Sequence, residues 1–270
     1  MWATWRVFVA TATGQAVEQA ALAGATYGQT RLWDLAEPVL DVVSFTFLAA
    51  GAAIAVGIAL ARRRWALAVS ALVLVGGANL TTQVLKSGVL DRPALGGDLA
   101  GGPSLPSGHT TAAASFAAAL VLVVPRRARP WVAVVGAVYT AATGVSTLIG
   151  QWHRPSDVVA AVLVVLAWAA LVCALGTGSA VAEARGPLAD GASRPAGTAP
   201  AVALLLLGAL LVGLPAAWEG VEAYRAVSAG VPAGDVATYV AGALAVSAVS
   251  AIAFAVLLLV RQSTVRLRED

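Results

Sequence analysis

Apolar positions run along this chain in long unbroken stretches, not in alternation. They fall at residues 7–26, 39–61, 65–85, 107–124, 131–149, 157–175, 200–218 and 236–260. Each stretch is about the 20 residues that a helix needs to cross ~30 Å of hydrocarbon. A backbone in lipid must satisfy its own hydrogen bonds, so these stretches predict helices. The period-2 pattern of a membrane barrel does not occur in the sequence. The predicted fold is therefore all-α, a polytopic helical membrane protein of about eight spans. The first stretch is interrupted by Gln15, Glu18 and Gln19. Its basic flank and a later Ala-Leu-Ala-Gly also fit a cleaved signal peptide, and either reading puts the next loop outside.

Composition agrees with membrane burial. Of 270 residues, 59% are hydrophobic and 11% charged, with a mean hydropathy of +0.83, which leaves too little polar surface to clothe a water-soluble globule. The net charge of +3 gives no support to nucleic-acid binding, because in such a chain the placement of basic residues matters more than their sum. The single cysteine, Cys173, lies inside an apolar stretch and cannot form an internal disulfide or a thiolate cluster, so it is read as lipid-facing or packing.

With the amino terminus inside, Arg6, Arg62, Arg63, Arg64, Arg126, Arg127, Arg129, Arg185, Arg194, Arg261, Arg266 and Arg268 fall on inner segments, twelve of the seventeen basic residues. The positive-inside rule then predicts two cytoplasmic termini and an integral protein of the plasma membrane, a bacterial cell membrane. Residues 176–200, rich in Gly, Ala, Ser and Pro, read as a flexible linker between a 1–175 core and a 201–270 segment of two helices with a basic tail. Gly136, Thr140 and Gly144 permit close helix packing. Trp131, Trp152, Trp168 and Trp218 read as interface anchors.

Five basic residues remain for the outer segments: Arg31, Lys86, Arg92, Arg154 and Arg225. Lys86, the sole lysine, Arg92 and Arg154 share two loops with the only histidines, His109 and His153. A snorkelling side chain is the ordinary reading of Lys86. Pro106-Ser107-Gly108-His109 precedes a run of helix formers and reads as a helix start. Unpaired N–H groups and the positive end of the helix dipole suit a phosphate there, and Gly108 allows close approach to the backbone. Taken alone, it is equally an ordinary Ser N-cap. In His153-Arg154-Pro155-Ser156-Asp157, Pro155 suits a first helical position. Asp157, four residues after His153, can fix the imidazole tautomer and stabilise positive charge on it.

These residues resemble the type 2 phosphatidic acid phosphatase and vanadium haloperoxidase superfamily, in its integral membrane lipid-phosphatase branch. That superfamily carries Lys-x6-Arg-Pro, Pro-Ser-Gly-His and Ser-Arg-x5-His-x3-Asp in this order. Here stand Lys86 with Arg92-Pro93, the complete Pro106–His109, and Ser146 with His153 and Asp157, over residues 39–175. Two departures stand out: five residues separate Lys86 from Arg92, and Thr147 occupies the arginine position of the third signature, with Arg154 a candidate substitute. The resemblance implies a phosphatase in which His153 attacks phosphorus, Asp157 orients it and His109 protonates the leaving oxygen. Lys86, Arg92, Ser107 and the Gly108 amide would hold the phosphoryl oxygens. It implies no metal and no cofactor; Asp91 and Asp98 read as solvated loop residues, and the loop 94–103 as a lid or connector.

Catalytic residues at span ends predict a substrate with its phosphate at the interface and its tail in the bilayer: phosphatidate, phosphatidylglycerophosphate, or a polyprenyl phosphate or pyrophosphate. Two alternatives stay open, a catalytically impaired relative that binds lipid phosphate and a phosphotransferase to an alcohol acceptor. A transporter fits less well, because the polar residues gather at one face.

Overall fold

The computed structural model describes residues 1–42, 45–90, 92–93, 95, 105–176 and 197–263. A short turn at Trp2–Thr4 runs into a π-helical stretch at Trp5–Val9. Among the described residues eight long helices follow: α1 (Ala12–Val42), α2 (Phe45–Ala61), α3 (Trp65–Gly88), α4 (Gly108–Val123), α5 (Arg129–Ile149), α6 (Pro155–Leu175), α7 (Thr198–Ser228) and α8 (Asp235–Ser263). No strand occurs among the described residues. The helices α3, α5, α6, α7 and α8 are long and apolar enough to cross a membrane, and α4 and Leu48–Ala61 of α2 are shorter apolar helices. The polytopic all-α expectation is met.

Helix α4 is the centre of the bundle, packed against α2, α3, α5 and α6. Its buried face is nearly all Ala and Val, from Ala112 to Val123, so neighbouring backbones come close and dispersion contacts replace bulky side chains. Close packing at the small residues of α5 is observed. A Cβ added at Gly136 would collide with Phe254 of α8, and one at Gly144 with Val158 of α6 and Val246 of α8. Cys173 is buried, which decides for packing over lipid exposure.

The two ends of the bundle differ chemically. At one end, Arg62 Nη1 donates to the Val123 carbonyl and Arg261 Nη2 to the Leu122 carbonyl at 3.3 Å. Both cap the last carbonyls of α4, where cations favour the negative end of the helix dipole. At the other end stand both histidines.

The structure corrects the expected first span. The stretch 7–26 is not one helix: it breaks at Ala10–Thr11, and α1 continues without interruption to Val42, with Pro38 inside it. Nor is α1 among the helices apolar enough to cross a membrane. It crosses the histidine end of the bundle instead. Gln15 reaches Pro93, Glu18 reaches Ser156, Leu22 and Thr26 hold Gln151, and a Cβ on Gly24 would strike Asp235 at the start of α8. The cause is the polar side chains that interrupt the stretch; they find partners at helix ends and have none in hydrocarbon. Val9 packs with Leu105 and Ala160 in a cluster joined by Trp5 and Leu90, which also places the amino-terminal segment, and Arg6 with it, near the histidine end. Of the interface tryptophans, Trp131 and Trp218 are exposed. Trp168 instead packs over Gly77 and donates Nε1–H to Thr81 Oγ1 at 3.0 Å. Asp91, Asp98, the loop 94–103 except Leu95, the linker 177–196 and the tail 264–270 lie outside the described residues.

Candidate active site

Two helix starts are joined directly. The Ser107 N–H donates to the Asp157 carbonyl at 2.9 Å, so the first turn of α4 sits beside the first turn of α6. Ser107 is the N-cap of α4: its Oγ accepts from Thr110 N at 3.4 Å, which leaves the hydroxyl hydrogen free to donate. Its neighbour Gly108 faces open space, for an added Cβ would meet nothing within 4 Å. Backbone N–H groups at such a start attract an anion.

At α6, Arg154 is the N-cap and Pro155 opens the helix, as its sequence predicts. Asp157 is fully buried. Its Oδ2 accepts from His153 Nδ1 at 3.3 Å and from Arg154 N at 3.0 Å. The carboxylate thus assigns the proton to Nδ1 and leaves a lone pair on Nε2 of His153. Thr147 shapes the turn before it. Its carbonyl accepts from Trp152 N and His153 N at 3.1 and 3.3 Å, and its buried hydroxyl donates to Gly144 O at 2.7 Å. No charge stands at this position.

The remaining cations gather around these groups. Lys86, in the last turn of α3, and His153 both lie within electrostatic reach of His109. His109 rests against Trp152, ring centroids 5.3 Å apart, so Trp152 serves a histidine as well as the interface. Arg92 lies in the loop after α3. Burial and the neighbouring Arg154 push its pKa below its ordinary value, while Asp157 and Glu18 oppose the shift. None of its three guanidinium nitrogens, all buried, has a hydrogen-bond partner among the described residues. Such a group is costly to leave unpaired and is suited to a bidentate anion. All eight residues expected at the site, Lys86, Arg92, Ser107, Gly108, His109, His153, Arg154 and Asp157, therefore lie at one end of the bundle.

The match with protein-family models is to the PAP2 superfamily, over residues 4–179. The chain belongs to the PAP2 superfamily. No curated protein and no solved structure matches it. Membership supports phosphoester hydrolysis and an enzyme of the membrane. The match begins well before the 39–175 expected from the three signatures and takes in α1.

That inclusion matters, because α1 brings two residues that sequence reading treated only as interruptions. Gln15 Nε2 donates to the carbonyls of Val9 at 2.7 Å and Pro93 at 2.8 Å, which anchors the backbone next to Arg92. Glu18 is buried, and accepts from Ser156 N at 3.1 Å and from Ser156 Oγ at 2.6 Å. Burial, then the nearby Asp157 carboxylate, push its pKa up to about 7, against the Ser156 hydrogen bonds and Arg92. The available signal was two polar residues at i and i+3, on one face of a helix too polar to span.

Proposed function

We propose that this PAP2 superfamily protein is a metal-independent phosphatase of a membrane lipid phosphate, working at the extracytoplasmic face through a phosphohistidine. The lipid is a phosphatidate, a phosphatidylglycerophosphate, or a polyprenyl phosphate or pyrophosphate. The observation that carries the reading is the Ser107–Asp157 backbone hydrogen bond, which seats the two histidine-bearing helix starts side by side.

In this mechanism Arg92, Lys86 and the amides at the start of α4 hold the phosphoryl oxygens, with Ser107 donating its hydroxyl and Arg154 adding charge beside Arg92. His153 Nε2 attacks phosphorus and forms a P–N bond as the P–O bond to the lipid alcohol breaks. His109 gives its proton to the departing oxygen. Asp157 stabilises the charge that develops on His153. A water then attacks the phosphohistidine, loses its proton to His109 and releases inorganic phosphate. Positioning and electrostatics supply nearly all of the acceleration in such a transfer.

The test is phosphate release by purified protein in detergent across that panel of lipid phosphates. His153→Ala and His109→Ala are expected to abolish release, and Asp157→Asn to slow it by at least ~100-fold, the usual scale for a misoriented acid–base group. Release undiminished in both histidine variants would refute the mechanism. An alcohol that captures the phosphoryl group would convert the assignment to a phosphotransferase. No release from any of the panel would make the protein an impaired relative.

A further inference from the structure

Behind the first turn of α6, on the side away from His153, a cavity of about 530 Å³ opens between the amino-terminal segment, α1, α6, α7 and α8. Its walls are mostly apolar, among them Phe8, Val17, Val159, Ala217, Gly220 and Gly242. Much of it belongs to α7 and α8, outside the family match.

Depth and polarity identify the occupant. The cavity begins at Tyr224 and Arg225 in the last turn of α7 and at Thr238 in the first turn of α8, and reaches inward to Ala245. From Thr238 to Ala245 is about 10 Å along a helix, and from Arg225 back to Ala216 about 14 Å, close to half of a hydrocarbon core of ~30 Å. A slot that runs through most of one leaflet, mostly apolar along its length and polar at its mouth, has the shape of an acyl chain hanging from the interface. Water finds too few polar partners on such walls, whereas hydrocarbon covers them at no desolvation cost.

The chain is not that of the lipid being hydrolysed. Glu18 and Ser156 also line the cavity, and their two hydrogen bonds close the wall between it and the His153–Asp157 pair. We infer that this cavity binds one hydrocarbon chain of a second, non-substrate bilayer lipid, which rests against the Glu18–Ser156 wall. This inference does not depend on the proposed reaction.

The probe is phosphatidylcholine carrying a diazirine on one acyl chain, which lacks a phosphomonoester. The protein is reconstituted in vesicles of that lipid, irradiated, and the labelled peptides are mapped by mass spectrometry. Label is expected to concentrate on residues 216–225 and 238–245. Gly220 faces open space, so Gly220→Trp should fill the cavity and cut that label at least fivefold. Gly208→Trp, on the same helix, also open and not part of the wall, should leave it unchanged. Ala217→Phe gives a second filling variant should the first fail to fold. Label spread evenly over lipid-facing positions such as Leu204, Leu207 and Leu211, or indifferent to both filling variants, overturns the inference. So does label seen only with a diazirine phosphatidate and lost in Arg92→Ala, which would make the occupant the substrate's own tail. Each readout is independent of phosphate release.

Discussion

Asp157 serves three groups at once: its carbonyl takes the Ser107 N–H, and its carboxylate takes the Arg154 N–H and the His153 ring. A second carboxylate, Glu18, lies close enough to feel it. Two buried carboxylates of like charge resist joint ionisation, so burial and that repulsion hold Glu18 protonated up to about pH 7, well above its ordinary 4.5. The folded chain therefore keeps a proton that the unfolded chain releases at lower pH. Stability should fall as pH rises from the ordinary value through about 7. Thermal unfolding in detergent between pH 5 and 8 should show that decline, and Glu18→Gln should flatten it; an equal slope in both proteins would remove Glu18 as the titrating group. His109, His153 and Asp157 were legible in the sequence because their identities and spacings are the chemistry. Glu18 was not, because its partner Ser156 stands 138 positions away and only folding makes them neighbours.

Among the helices, α4 and α6 matter most, since each presents its amino-terminal turn to the same place. Their starts were readable: Ser107 as N-cap and Pro155 at the first helical position are local signals of backbone geometry. That they meet was not local. It follows from the close packing of Ala- and Gly-rich faces, in which Gly144 of α5 lets Val158 of α6 and Val246 of α8 approach. Gly144→Leu should force these helices apart and destabilise the protein by about 1–3 kcal/mol, the usual cost of overpacking. A lowered Tm, with phosphate release lost in parallel, is the expected result; an unchanged Tm would mean the contact is slack. Gln15→Ala belongs to this scale too, since it frees the Pro93 carbonyl and so the loop that carries Arg92. A raised KM for lipid phosphate with a smaller change in kcat should follow.

Across the whole molecule, Arg62 and Arg261 from two segments close one end of the bundle, and the histidines with Lys86, Arg92 and Arg154 occupy the other. Arg62 and Arg261 hold the carboxyl end of α4, while its amino end carries Ser107 and the open Gly108, suited to an anion. One helix dipole thus serves both ends with opposite charge preference. Under the proposed function, the positive-inside rule predicts that the histidine end faces outward. After Cys173→Ala, a cysteine at the exposed Ser87 should react with an impermeant maleimide added to intact cells, and one at Arg63 should not. The reverse pattern would turn the catalytic end toward the cytoplasm.

By itself the sequence determined the helical class, the position of most spans, and the residues of the candidate site, because hydrophobic period, capping chemistry and reactive side chains are properties of short stretches. Only the tertiary structure decided that α1 crosses the histidine end in place of spanning, that Gln15 and Glu18 brace Pro93 and Ser156, and that α7 and α8 wall an apolar cavity. The physical reason is that a polar residue in an apolar stretch has no fixed meaning until its partner is known, and these partners come from distant segments that meet only when the bundle closes.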